Sequence, residues 1–117
     1  QTKAVIKEIY DKYSYTLDTH TAVAVKVYED YKKATGDNTK TVIASTASPY
    51  KFSTAVLEAI EGKVSDMDEF DKVERLHEVS GYDVPKSLAE LKNKPIRFTG
   101  AIGRDEMKDF VLKSLSL

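Results

Sequence analysis

Apolar residues recur at intervals of three and four along most of the chain, which is the pattern of amphipathic helices. The first such segment is Thr2–Tyr13, and the second, residues 20–35, has Asp18 as a candidate N-cap and Gly36 as a stop. Further helices are predicted over residues 53–60 and from a cap at Asp66 or Asp68 to Gly81. A short helix that carries Leu88 and Leu91 is predicted after the capping box of Ser87 and Glu90, and a last helix is predicted after a cap at Asp105. The pattern therefore predicts a helix-rich chain.

The apolar positions also predict which helix faces are buried. Residues 22–27 are apolar nearly all round, which predicts packing on more than one side, and Tyr28, Tyr31 and Ala34 are predicted to continue the inward face. His77 shares an apolar face with its neighbours and is predicted to be a partly buried structural imidazole. The other inward positions predicted in the C-terminal half are Phe70, Val73, Leu76, Met107, Phe110, Val111 and Leu115.

Two short segments are predicted to be strands. Residues 41–45 form a β-branched run without alternation, which is typical of a strand covered on both faces. Residues 95–99 begin with Pro and fit an edge strand. The predicted order is ααβαααβα, a helix-rich α/β piece with few strands. Because two strands far apart in the chain cannot build a sheet alone, further strands are expected from a partner chain or from a preceding part of a longer protein.

Composition excludes several classes of protein. The 117 residues carry 18 basic and 19 acidic side chains and no Cys. This balance, with Lys32-Lys33 as the longest basic cluster, argues against a nucleic-acid-binding role, and the uncharged stretch 41–50 is too short to cross a membrane. The absence of both Cys and a secretory signal predicts a cytoplasmic location. Because Gln1 stands where an initiating Met is expected, the chain is predicted to be a piece of a longer protein.

Common catalytic motifs are absent from the sequence, including the P-loop, the dinucleotide-binding glycine motif, the nucleophile elbow and the zinc-protease helix motif. His20 and His77 are the only histidines and are far apart, so no multi-histidine metal site is predicted within one chain. Two stretches remain of interest, residues 18–23 and residues 45–52. Taken separately, they are consistent with a capped helix start and a proline-bounded loop.

Taken together, the two stretches resemble threonine synthase, an enzyme that depends on pyridoxal 5′-phosphate (PLP). Asp18-Thr19-His20-Thr21-Ala22 is similar to a family segment Asp-Pro-His-Thr-Ala, and residues 45–52 are similar to a later segment Ser-Thr-Ala-(His or Ser)-Pro-x-Lys-Phe. The loop 35–39 and the stretch from residue 68 to residue 107 also resemble the family, in the same order. Thr19 replaces the family's Pro, and Ser48 replaces the His of one branch.

The resemblance implies a fold and a reaction. The fold would be the C-terminal part of a fold-type II PLP enzyme, similar to the tryptophan synthase β subunit, with residues 1–117 completing the large domain that holds the cofactor. Threonine synthase converts O-phospho-L-homoserine and water to L-threonine and phosphate, with PLP as the electron sink. The family's Schiff-base lysine segment and Gly-rich phosphate loop precede this stretch. The chain alone is therefore expected to contain no catalytic residue, to bind no PLP and to be inactive.

The resemblance also implies which residues line the site. In this class of PLP enzymes a hydroxyl group faces the pyridine nitrogen, and Thr46, ahead of Ser45, is the candidate for cofactor binding. Ser48 and Lys51 are candidates for the substrate-phosphate side, because an ammonium group is a suitable partner for a phosphate dianion. The candidates for the edge of the substrate pocket, at a helix N-terminus, are Asp18, His20 and Thr21.

Two other functions remain open from the sequence. One is a free-standing α/β interaction module without catalysis, and the other is a small phosphate-binding domain that uses Thr46, Ser48 and Lys51. A PLP-lysine region encoded upstream of Gln1 would favour the threonine synthase fragment over the module. Residues 22–27 and 42–44 predict an uncovered apolar surface on the isolated chain, so self-association is expected.

Overall fold

A computed structural model describes residues 1–64 and 66–116 of the chain. Within them, the α-helices are α1 (Thr2–Tyr13), α2 (Thr19–Thr35), α3 (Ser53–Ile60), α4 (Glu69–Ser80), α5 (Lys86–Ala89) and α6 (Met107–Ser114). Short 3₁₀ turns precede α3, follow α5 and precede α6, at Pro49–Phe52, Glu90–Asn93 and Arg104–Glu106. The helices described here all lack the combination of length and apolar character needed to cross a membrane.

The two longer capped helices, α2 and α4, begin and end at the residues that the sequence indicates. Asp18 caps α2 and Asp68 caps α4, each carboxylate accepting backbone N–H groups of the first turn. Gly36 and Gly81 end these helices with φ angles of 70° and 71°, a left-handed conformation that glycine adopts without steric cost. The predicted positions of α1 to α4 are therefore confirmed.

The core lies where α1 packs against α2 and α3, and where α3 packs against α4. The buried apolar side chains of these four helices are Val5, Ile6, Ala22, Val56, Leu57, Ile60, Val73 and Leu76. Tyr10 on α1 donates a 3.0 Å hydrogen bond from its hydroxyl to the carbonyl oxygen of Val79 on α4. This arrangement confirms Val73 and Leu76 as the inward face of α4, and it makes α3 the central helix.

Neither predicted strand is found in the described part of the chain. Residues 41–45 and 95–99 have no regular secondary structure, and Val42 and Ile96 are 89% and 80% exposed. A strand requires a neighbouring strand to satisfy its backbone groups, and the described residues provide none. The α/β assignment is therefore wrong for this chain as described, although the expected helix-rich character is confirmed. The β-branched run indicates suitability for burial, but it does not specify what covers it.

Helix α2 packs on one side only. Ala22 is fully buried, whereas Val23, Val27 and Tyr31 are exposed by 50%, 63% and 51%. The prediction of packing on more than one side, with Tyr31 and Ala34 inward, is therefore wrong for the described chain. A helix that is apolar all round is favourable to bury, but its outer face becomes buried only where a second surface packs against it.

Several local predictions in the C-terminal half are also wrong. Ser87 lies inside α5, because Pro85 already stands at its N-cap, and α6 is entered through the turn Arg104–Glu106 instead of an Asp105 cap. His77 is exposed, with its Nδ1 2.6 Å from the carbonyl oxygen of Tyr82. The residues predicted to face inward from the last helix are all more than half exposed: Met107, Phe110, Val111 and Leu115.

The C-terminal part of the chain extends away from the helical core. Every described residue from 91 to 116 is exposed. The radius of gyration is 19.0 Å, whereas a compact chain of this length has about 13 Å. Apolar residues such as Phe98, which is 83% exposed, therefore have no covering layer within the described chain.

Candidate functional site

Asp18 is the centre of the candidate site. It lies at the start of α2, is 1% exposed, and accepts the backbone N–H groups of His20 and Thr21 on Oδ1 at 2.8 and 3.1 Å. Its Oδ2 accepts the hydroxyl groups of Thr21 and Ser45, the latter at 3.2 Å. We call Asp18, Thr21 and Ser45 the Asp18 cluster. It brings together the two stretches that the sequence singled out.

The electrostatics of the cluster favour an ionised carboxylate. Burial is the largest single influence and raises the pKa of Asp18. The hydrogen bonds from the hydroxyl and N–H of Thr21, from the N–H of His20 and from the hydroxyl of Ser45 together outweigh burial. The pKa of Asp18 is therefore lowered from its ordinary value, and the group is a charged acceptor at neutral pH.

The second stretch, residues 45–52, begins at Ser45 in the Asp18 cluster, has no helix or strand up to Ser48 and then forms a turn. Ser48 accepts the N–H of Tyr50 at 3.3 Å and caps the turn Pro49–Phe52. Thr46 lies between these two fixed points, is exposed, and has no side-chain hydrogen bond to the described residues. The predicted cofactor hydroxyls therefore differ, because Ser45 is engaged by Asp18 whereas Thr46 is open to a partner.

A ring contact joins the two stretches a second time. The His20 ring centroid lies 5.0 Å from that of Phe52, with an angle of 47° between the ring planes. The His20 side chain is 67% exposed, and its Nδ1 is 3.6 Å from Oδ1 of Asp18. The imidazole is thus held at the edge of the cluster while remaining accessible from solvent.

Ser48 and Lys51 line a cleft between the turn Pro49–Phe52 and α5. Its volume is about 350 Å³, which is within the range of small-molecule sites. The remaining lining residues are Tyr50, Pro85, Ser87, Leu88 and Leu91. Lys51 forms no ion pair with the part of the chain that the structure describes. The cleft therefore combines apolar walls with an ammonium group that is available to an anion.

The predicted cofactor hydroxyls and the cleft beside Lys51 are separate features of the described chain. Ser45 is engaged by Asp18, Thr46 is exposed, and neither residue lines the cleft. Residues 1–64 and 66–116 contain no group of three His, Cys, Asp or Glu side chains that could hold a metal ion.

Sequence reasoning missed the two aromatic residues that anchor the second stretch. Tyr50 is 4% exposed, its hydroxyl donates to the carbonyl oxygen of Tyr82, and burial raises the pKa of that hydroxyl. Phe52 supports the His20 ring. Aromatic residues on both sides of Lys51, directly before an apolar helix, are the signal that this stretch packs on the core.

Comparison with known proteins gives consistent matches. Residues 21–111 match the model of a family described as "Threonine synthase, C-terminal". A curated relative named threonine synthase, from Methylobacillus glycogenes, is 38% identical over 58 residues, which cover 50% of this chain and 12% of the relative. The aligned region is thus a small part of the relative's length, whereas the family match spans most of this chain. The chain belongs to the family of threonine synthase C-terminal regions.

Proposed function

We propose that this chain is the C-terminal part of a threonine synthase, a PLP-dependent lyase that converts O-phospho-L-homoserine and water to L-threonine and phosphate. The observation that carries the proposal is the family match over residues 21–111. The contact between Asp18 and Ser45 supports it, because it joins the two segments that resemble the family. The activity is assigned to the whole enzyme and not to these residues alone.

The proposed role of the chain is to complete the domain that holds the cofactor. Its irregular segments 41–45 and 95–99 carry apolar side chains that nothing in the described chain covers, including Val42, Ile96 and Phe98. Monomeric proteins rarely leave such apolar surface exposed. We therefore assign these segments to interfaces with the rest of the enzyme, which would also supply the Schiff-base lysine and the phosphate loop for PLP.

The residue roles within that enzyme remain those implied by the resemblance. Thr46, ahead of Ser45, would present its hydroxyl group toward the cofactor once the rest of the enzyme closes the pocket, because the Ser45 hydroxyl is already engaged by Asp18. Lys51 would face the substrate phosphate together with Ser48, and the absence of an ion-pair partner for Lys51 within the described residues supports this role. His20 would lie at the pocket edge, together with Asp18 and Thr21.

Genetic complementation tests the proposed function. The complete gene that encodes this chain is expected to restore growth of a threonine auxotroph without threonine synthase, and the purified product should release phosphate from O-phospho-L-homoserine. A gene lacking the coding sequence for these 117 residues is expected to fail. Growth with the truncated gene, or no phosphate release by a folded complete product, would instead support a non-catalytic interaction module.

The isolated chain is expected to self-associate through the outer face of α2. Val23, Val27 and Tyr31 lie on adjacent turns of this helix and are all at least half exposed. Burying them against a second copy removes apolar surface from water. Sedimentation velocity at low and high protein concentration should show association, and the double variant V23K/V27K should weaken it. A concentration-independent monomer would contradict this expectation.

A further inference from the structure

We propose that Asp18 is a positioning residue: it holds Ser45, and through Ser45 the segment 45–48, at the edge of the site. This inference rests on the proposed function for its catalytic meaning, but its geometry stands independently. Ser45 is 27 positions from Asp18 in the chain, and its hydroxyl lies 3.2 Å from Oδ2 of the carboxylate. The bond therefore ties the start of α2 to a distant segment.

The carboxylate of Asp18 has no acceptor capacity left for another ligand. A carboxylate offers about four lone-pair positions, and Asp18 accepts two backbone N–H groups and two hydroxyl groups. It is also 1% exposed. This saturation favours an indirect role over direct contact with a substrate, whose amino group would have to displace one of these donors.

The segment that Asp18 holds has few other contacts, and one of them also depends on Asp18: the Ser45 hydroxyl lies 3.1 Å from Oγ1 of Thr21, which is itself bound to the carboxylate. Residues 36–47 form no helix or strand, and most of them are exposed. Segment 45–48 is fixed at one end by Ser45 on Asp18 and at the other by Ser48, which caps the turn Pro49–Phe52. Thr46, the candidate for facing the cofactor, lies between these two points. Loss of the hydrogen bond between Ser45 and Asp18 is therefore expected to make Thr46 mobile without disturbing the turn Pro49–Phe52.

Comparison with Asp68 separates positioning from ordinary helix capping. Asp68 also caps a helix, but it is exposed and its carboxylate accepts the N–H of Asp71 at 2.8 Å. Asp18 differs in being buried and in accepting the hydroxyl of Ser45. Asp68→Ala therefore serves as a matched control, because it removes a cap without removing a tether.

The first test is limited proteolysis of the 117-residue chain with elastase, which cleaves after small residues such as Ala44 and Ala47. Ser45→Ala leaves the α2 cap in place and removes the tether, so it is expected to accelerate cleavage after Ala47 about tenfold, as loss of one hydrogen bond to a charged group allows. Cleavage after the alanine introduced at position 45 is counted separately. Ser45→Thr keeps a hydroxyl group and should cleave at the unmodified rate. Asp68→Ala should leave the rate at Ala44 and Ala47 unchanged.

The second test uses the complete enzyme and a double-mutant cycle. Asp18→Ala and Ser45→Ala are each expected to lower kcat about tenfold or more, because small displacements of site residues slow catalysis strongly. Since Asp18 acts through Ser45, the double variant should be no slower than the slower single variant.

Two outcomes would overturn the proposal. One is an unchanged rate of elastase cleavage after Ala47 in Ser45→Ala, and the other is additive loss of kcat in the double variant. Failure of the proposed function would be recognised separately, since the unmodified complete enzyme would then form no threonine. In that case the elastase experiment alone still tests whether Asp18 holds residues 45–48.

Discussion

Leu57→Ala is expected to lower the free energy of unfolding of the chain by about 2–5 kcal/mol. Leu57 is fully buried in α3, the helix that contacts both α1 and α4. Truncation to Ala leaves a cavity between helices on two sides, and these helices cannot both move to fill it. The loss therefore combines the transfer free energy of the removed atoms with the cost of the cavity. Urea denaturation followed by far-UV circular dichroism measures the change.

Leu115→Ala is the control for this substitution. Leu115 follows α6 and is 63% exposed, although the sequence pattern predicted it to face inward. The same chemical change there is expected to alter the free energy of unfolding by less than about 0.5 kcal/mol. Equal losses for the two variants would mean that the C-terminal part packs on the core in solution, and would contradict the fold described above.

Asp18→Ala is expected to lower the free energy of unfolding by about 2–3 kcal/mol, since a lost cap and lost buried hydrogen bonds each cost about 1 kcal/mol. The backbone N–H groups of His20 and Thr21 lose their acceptor, and the Ser45 hydroxyl loses its bond to the carboxylate but keeps its 3.1 Å contact with Oγ1 of Thr21. Asp68→Ala is the matched control and should cost about 1 kcal/mol, the value of a cap alone. Equal losses would contradict a buried tether at Asp18.

The contribution of Asp18 is also expected to depend on pH. Because its pKa is lowered in the folded chain, its stabilising effect is fully present above the ordinary value of 3.8 and is lost as the pH falls through the lower, folded-state pKa. The unmodified chain should thus lose stability on acidification below that value more steeply than Asp18→Ala. Parallel curves for the two proteins would contradict the shift.

The long helices could be predicted because their ends are specified locally. Asp18, Asp68, Gly36 and Gly81 act within one turn of the helix that they limit, so neighbouring residues alone determine the boundary. The apolar period of α4 likewise identified Val73 and Leu76 as buried. Local hydrogen bonds and helical periodicity are both contained in a short stretch of sequence.

Strands and buried faces could not be predicted in the same way, because they depend on a second surface. The run 41–45 and the apolar half of α2 are suited to burial, yet Val42 and Val27 are largely exposed in the described chain. The sequence pattern shows that these residues are suited to apolar contacts. It contains no information on which part of the protein supplies the contacting surface. The same reasoning applies to Phe110 on α6.

The candidate site was predicted as two separate stretches, and its central contact was not. Asp18 was identified as a cap and Ser45 as the end of a strand, and nothing in their spacing indicates the hydrogen bond between them. That contact arises from the packing of α2 beside the segment that precedes α3. The resemblance to threonine synthase paired the stretches as parts of one site, but only the fold explains how Asp18 holds Ser45.

The central claim is that this chain is completed by the rest of a threonine synthase, and reconstitution tests it most directly. The remaining part of the enzyme is expressed without these residues and titrated with the purified chain, while phosphate release from O-phospho-L-homoserine is followed. We expect no activity from either part alone, and activity that rises until the two parts are equimolar. Full activity of the remaining part alone, or no association between the two folded parts, would contradict the claim.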